Sequence, residues 1–399
     1  MCDEKHKSER DEMRKVLYVI ASTNIGGAET MLWSLLHELD NAQFRASVCV
    51  VGGGPVAGQL ARWGYATHVM KPFSGFCDLV SLRRLMSIVR EEAPNVIHTH
   101  GWIANFYSAV CARIRGVPCV STFHSMTEIE TVKERLAFRI VARLSNAMVF
   151  VCEAQERHFR AAARMRHCCV IRNGLRLNAP RATSAEGDSV MLREELCISA
   201  GNPVVTCVAS LRPGKGHEVL LEAWTVVIER FPTARLLLLG DGICRASLER
   251  LRSRLNISRS VSLLGERSDV RSFLSITDVF VLASFSECLS YAIMEAMSMA
   301  CPIVVTEVGG NTELVQHRED GLLVPPGDPS ALAEGLGYLL LDRETARRFG
   351  QAARVKVERH FTARRMVQSY EDLYRDNCSA PWRGTALGKQ KDRGVEKAT

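Results

Sequence analysis

The sequence predicts an α/β protein built from two doubly wound, parallel-sheet domains in tandem, with a ligand cleft between them. Three observations carry that expectation. Short apolar runs alternate with segments of helical spacing along nearly the whole chain. The run 279–283 is apolar at every position and not at every second one, as a strand covered by helices on both faces must be. The alternation breaks once, at the polar stretch 179–188 with Pro180 and Gly187, and then resumes.

In the first series, strands are expected at 16–21, 46–51, 67–70, 96–99, 117–123 and 147–152, with a further one at 169–172. Helices fit 28–39, 79–92, 102–115 and 131–144. The second series has strands at 204–209, 235–239, 261–264, 279–283, 302–306 and 322–324. Its helices fit 218–229, 246–255, 270–275, 291–299 and 329–341, and two closing helices cover 344–358 and 363–376. The domain plan is a charged extension at 1–14, a first domain at 15–178, a linker region at 179–200 and a second domain at 201–358. A closing helix at 359–378 follows, then a charged tail at 379–399 expected to be disordered. In such folds ligands bind outside the carboxyl ends of the strands, which here means the cleft.

A chain of 399 residues suits two domains of ordinary size, and its 47% hydrophobic content supplies their cores. No run approaches the length of a transmembrane helix. The first fifteen residues are densely charged and contain no apolar core of a signal peptide, so a cytoplasmic location is expected. The 14 cysteines are scattered without any C-x-x-C, and Cys49, Cys119 and Cys207 fall in expected core strands, which favours reduced buried thiols. A net charge of +7 permits anionic substrates or an anionic membrane surface. Nothing interleaves aromatic and basic residues as a nucleic-acid module does.

Several motifs cluster at the expected carboxyl ends of strands. Glu287 follows the apolar strand 279–283 in a loop, and Glu295 lies in the helix after it. Two acceptor-only carboxylates so placed suit the hydroxyls of a sugar and a ribose; a helix cap plus a surface carboxylate is the competing reading. Gly26-Gly27-Ala28-Glu29 forms a glycine turn between strand and helix, where backbone can approach an anion, or simply a tight turn with a capping acid. Gly52-Gly53-Gly54-Pro55-Val56-Ala57 matches G-x-G-x-x-A formally, but Pro55 stands where a cradle amide is needed, so it reads as a loop. Ser210-Leu211-Arg212-Pro213-Gly214-Lys215-Gly216 opens the second domain; Arg212 and Lys215 can neutralise a phosphate, or belong to an exposed basic loop. His98, His100 and His124 end first-domain strands, with His98 and His100 on one face. A histidine at the cleft mouth can hydrogen-bond a substrate hydroxyl. The lack of a suitably spaced carboxylate argues against metal, and His98 best suits a satisfied core position.

From about residue 15 to 374 the chain resembles the family-4 retaining glycosyltransferases, which have the GT-B fold. The resemblance rests on Gly26-Gly27-Ala28-Glu29, Arg212-Pro213-Gly214-Lys215-Gly216 and Glu287 with Glu295. Val308-Gly309-Gly310-Asn311-Thr312-Glu313 and Gly321-Leu322-Leu323-Val324-Pro325-Pro326 extend it. It implies that Gly26 and Gly27 let backbone approach the donor diphosphate or the acceptor, and that Lys215 binds the diphosphate. Glu287 would hold sugar hydroxyls with the amides of Leu289 and Ser290 nearby, Glu295 the ribose, and His124 the transferred sugar. Arg267 lies in the loop that passes the nucleotide base. The last helix, with Phe361 before it and Tyr374 within it, looks like the segment that crosses back to the first domain.

Two positions depart from the family pattern. Ser210 stands where an arginine is usual, leaving its phosphate contact to Arg212, and Cys288 stands where glycine is usual, beside the sugar. The resemblance implies sugar transfer from a nucleotide-sugar donor, UDP-linked by family habit with GDP-mannose second, to a glycan or lipid-linked acceptor. Configuration would be retained, with neither metal nor cofactor and with peripheral contact at the inner face of the membrane. A non-catalytic subunit and an epimerase are the competing readings; a dehydrogenase is disfavoured by the missing dinucleotide fingerprint.

Overall fold

A computed structural model describes residues 13–21, 26–126, 129, 131–162, 165, 167–177 and 186–378. The extension before residue 13, the tail from 379, residues 22–25 of the glycine turn and most of the polar break lie outside the described residues.

The first domain runs β1 (Arg14–Ala21), α1 (Gly27–Glu38), β2 (Phe44–Val51), α2 (Pro55–Arg62), β3 (Ala66–Met70), α3 (Leu79–Glu92), β4 (Val96–His100), α4 (Trp102–Arg115), β5 (Cys119–Phe123), α5 (Val132–Leu144), β6 (Ala147–Phe150), α6 (Glu153–Ala162) and β7 (Cys168–Val170). The second runs α7 (Glu186–Glu195), β8 (Val204–Val208), α8 (His217–Arg230), β9 (Arg235–Leu239), α9 (Arg245–Arg254), β10 (Val261–Leu263), α10 (Val270–Ser275), β11 (Val279–Leu282), α11 (Tyr291–Ser298), β12 (Ile303–Thr306), α12 (Asn311–Leu314), β13 (Leu322–Val324), α13 (Pro329–Leu341) and α14 (Arg343–His360). The final helix, α15 (Ala363–Cys378), follows.

The sheet orders are β3-β2-β1-β4-β5-β6-β7 and β10-β9-β8-β11-β12-β13, every pairing parallel. Each order reverses direction beside its first strand, between β1 and β4 and between β8 and β11. These are the two crevices where such sheets bind ligands. The central strands are apolar on both faces because both are covered: Leu17 and Ile97 pack into one layer, Val16 and Val96 into the other. Cys49, Cys119 and Cys207 are buried free thiols in these strands, and burial pushes the Cys119 thiol up to about 12.

Three expectations need correction. The segment after Gly52-Gly53-Gly54 is not all loop: Pro55 opens α2 at its first turn, where its missing N–H costs no hydrogen bond, and Val56 and Leu60 anchor the helix in the core. The region 179–200 is not simply a linker. It contains α7, and Leu192 and Ile198 pack with Val204 and Leu237 of the second sheet. A helix over Glu153–Ala162 also goes unread in the sequence, because its charged composition masks its apolar anchor, Phe159.

The last helix packs on α1. Glu371 accepts the Asp40 amide at 2.9 Å, and Tyr374 donates to Tyr18 at 3.3 Å. Two chain crossings therefore join the domains, and they run side by side: Leu175 pairs in parallel with Thr362. Among the described residues no helix is long and apolar enough to cross a membrane.

Candidate active site

The second domain's crevice is built by two loops held to each other backbone to backbone. The turn after β8 lies on the end of β11: the Phe285 amide donates to Gly214 O at 2.8 Å. A Cβ on Gly216 would lie 1.9 Å from Ala283 O, and its φ is +67°, so only glycine allows this approach. The result brings Lys215 to Glu287, Nζ to Oε1 at 2.6 Å. Ser284 Oγ donates to the same oxygen at 2.7 Å. Thr306 Oγ1 in turn donates to Ser284 O, tying the loop to β12. Glu287 is not the helix cap; Ser290 is, its Oγ accepting from the Ile293 amide at 3.5 Å. The competing cap reading of Glu287 therefore falls.

Glu295 projects from α11. It is partly reachable from solvent but crowded by protein on its other sides, and that burial raises its carboxyl to about 7 against the smaller opposing effect of Arg271. A carboxylate kept near half-ionised, with no hydrogen-bond partner among the described residues, is able to gain from hydroxyl donors. Leu289 is buried and Ser290 half-buried beside it.

Across the cleft, Gly26 caps α1. Its amide donates to Glu29 Oε2 at 2.8 Å, so the capping role expected of that acid is real. A Cβ on Gly27 would sit 3.8 Å from the Tyr291 ring, which places the glycine turn directly against the start of α11.

The three histidines form a chain. His98 is fully buried with both ring nitrogens engaged, Nδ1 with Tyr374 Oη at 2.6 Å and Nε2 with Thr122 Oγ1 at 2.8 Å. His100 Nδ1 meets His124 Nε2 at 3.1 Å, and His100 Nε2 is buried without a hydrogen-bond partner. Burial holds all three neutral, His124 down to about 4. Among the described residues no group of three or more His, Cys, Asp or Glu is arranged to hold a metal ion. His98 is the satisfied core histidine, and His124, half-buried at the end of β5, is the one that faces outward.

Other expected residues make no side-chain hydrogen bond to Lys215, Glu287 or Glu295 among the described contacts. Arg212 is exposed and has no acidic partner among the described residues; the loop folds its backbone onto Ser210, whose carbonyl accepts the Arg212 amide at 2.8 Å. Arg267 is committed to Asp269 through two bonds of 2.8 and 2.7 Å and lies over the Phe273 ring. The Cys288 thiol is hydrogen-bonded to the Cys152 thiol of the first domain, so it serves the domain seam.

Sequence reasoning missed Ser284, Asn173 and the role of Glu313, which accepts the amides of Glu153 and Ala154 across the seam. Serine and asparagine carry no periodic signal, and Glu313 stood inside a recognised motif without an assigned partner. Two surface cavities, of about 680 and 520 Å³, lie elsewhere, one around Phe44 and Tyr65 and one between α8 and α13. Neither contains a residue of the cluster, so the site is defined by converging chemistry and not by volume.

Comparison with known proteins follows the same two halves. The family model described as Glycosyltransferase Family 4 matches residues 25–179, and that of Glycosyl transferases group 1 matches 191–356. The Escherichia coli UDP-Gal:alpha-D-GlcNAc-diphosphoundecaprenol alpha-1,3-galactosyltransferase is 26% identical over 382 residues, covering 91% of this chain and 97% of that protein. A D-inositol 3-phosphate glycosyltransferase of Corynebacterium glutamicum is 25% identical, covering 88% and 92%. Among solved structures, Anabaena HepE in complex with UDP and glucose superposes with a TM-score of 0.80 at 24% identity, covering 91% of this chain and all of that one. A Rickettsia africae glycosyltransferase reaches 0.82 at 20%, covering 92% and 99%.

Proposed function

The chain belongs to the family-4 type of glycosyltransferases, an enzyme of the GT-B fold, and on that premise we propose that it moves a sugar from a UDP-linked donor to a hydroxyl of a glycan or lipid-linked acceptor, with anomeric configuration retained. The observation that carries this reading is the meeting of Lys215 with Glu287 in one crevice, with Glu295 on the helix that follows and the Gly26-Gly27 turn facing its start.

Before donor binds, Lys215 and Glu287 neutralise each other. The donor separates their tasks: the ammonium turns to the departing diphosphate, and the carboxylate accepts sugar hydroxyls. The leaving group is stable as an anion, so its departure needs charge neutralisation more than proton transfer. Lys215, Arg212 and the amides at the start of α11 supply it. Glu295 holds the ribose and Arg267 borders the base. His124, neutral at the cleft wall, hydrogen-bonds the transferred sugar. The acceptor hydroxyl attacks from the face the diphosphate leaves, and closure of the domains excludes water. The names of the galactosyl and inositol-phosphate relatives support a lipid-linked or small acceptor.

The test is nucleotide release from a set of nucleotide sugars with purified protein and acceptor. Turnover of a UDP-sugar, lost in both Lys215→Ala and Glu295→Ala, is expected. Full activity in both variants would overturn the site assignment.

A further inference from the structure

The segment 287–290, which the reading above makes the donor grip, is held from outside its own domain. Asn173 of the first domain is buried, and its Nδ2 donates to Leu289 O at 3.3 Å. Its position is fixed by the neighbouring residue. A Cβ on Gly174 would lie 2.2 Å from Thr362 O, so the backbone runs tight against the second chain crossing. Leu175 completes the junction, donating to Phe361 O at 2.8 Å and accepting from the Ala363 amide at 2.9 Å.

A second strut reaches the same segment. Glu313 accepts the Glu153 amide at 2.7 Å and the Ala154 amide at 3.2 Å, at the start of α6, and Arg172 Nε at 2.9 Å. It stands just after Gly309-Gly310, whose backbone lies on the donor loop: the Gly310 amide donates to Glu287 O at 3.1 Å. A Cβ on Gly310 would fall 1.5 Å from Cys288 O.

A trans peptide points its C=O and its N–H in opposite directions. With the carbonyls of Glu287 and Leu289 engaged by Gly310 and Asn173, the amides of Cys288 and Ser290 are turned to the other side. Ser290 is the cap of α11, so its amide belongs to the helix's positive end. We propose that Asn173 is a positioning residue: from the first domain it aims the Ser290 amide at the donor's diphosphate. The full phosphate grip then exists only while the domains are closed on each other, and Glu313 braces the same loop from behind. This inference rests on the donor reading above.

The test compares UDP with UMP by titration calorimetry on the full chain. Asn173→Leu keeps the volume and removes the donor; Asn173→Ala removes both, and thermal unfolding checks that each variant folds. Losing one buried hydrogen bond should weaken UDP about tenfold in both variants. UMP, which lacks the outer phosphate, should change by less than about twofold, and the acceptor KM should hold while the donor KM rises. Unchanged UDP affinity, or equal losses for UDP and UMP, would overturn the positioning role, because a merely structural residue does not discriminate between them. If the wild type binds GDP or ADP instead, the same diphosphate–monophosphate comparison applies and only the uridine assignment falls. If it binds no nucleoside diphosphate, the donor reading falls, and this inference with it.

Discussion

Replacing Glu295 with glutamine separates its work on the donor from its cost to the fold. With its carboxyl raised to about 7, close to one side chain in eleven is ionised at about pH 6 and about ten in eleven at pH 8. In the proposed role the ionised form accepts two ribose hydroxyls; the protonated form carries a donor of its own and no charge. Apparent affinity scales with the competent fraction, so donor binding should weaken about tenfold between about pH 8 and pH 6. The assay is calorimetric titration with an intact nucleotide sugar, whose esterified phosphates do not titrate in this window. In Glu295→Gln the pH dependence should vanish at a uniformly lower affinity. Stability moves the other way. The folded pKa lies above the ordinary 4.5, so the folded state holds its proton more tightly and stability is lost as pH rises from about 4.5 through 7. The raised value corresponds to at most about 3 kcal/mol, an upper bound because the side chain is partly reached by solvent. Glu295→Gln should therefore melt higher than the wild type at pH 8 while binding donor less well. Affinity that is flat with pH in the wild type, or equally sloped in the variant, would refute the ribose assignment.

Four further outcomes follow from the same geometry. Lys215→Ala removes the cation proposed to meet the departing phosphate and should lower kcat by about 10²- to 10³-fold. Adding Glu287→Ala should cost much less than its single effect, since the two are paired, and steady-state kinetics of the double variant checks this. His124 titrates at about 4, so kcat should show no imidazole limb between about pH 5 and 8; such a limb lost in His124→Asn would contradict a neutral His124. Gly216→Ala drives a Cβ into Ala283 O at positive φ and should destabilise by more than about 3 kcal/mol in denaturant unfolding while displacing Lys215.

The architecture was legible because parallel strands covered on both faces leave uninterrupted apolar runs, as in 279–283. Glu287, Glu295 and Lys215 were legible because charges just after such runs need a reason to be there. Their mutual contact was not. It depends on Gly216 touching Ala283, residues far apart in the chain, and no local pattern encodes that approach. Cys288 illustrates the same limit: beside Glu287 in sequence it reads as a group crowding the sugar, whereas in three dimensions its thiol meets Cys152 of the other domain. The α2 helix was hidden by three glycines and a proline, which mark a turn equally well whether or not a helix starts there.

Sugar transfer with retention at this crevice is tested most directly by the product itself. Purified protein is incubated with an α-linked UDP-sugar and a lipid-linked or small-molecule acceptor, UDP release is followed, and the new glycosidic bond is read by proton NMR. An α-linked product formed in step with UDP release, and absent in Lys215→Ala, is the predicted result. A β-linked product, or UDP release without any new bond to the acceptor, would contradict it.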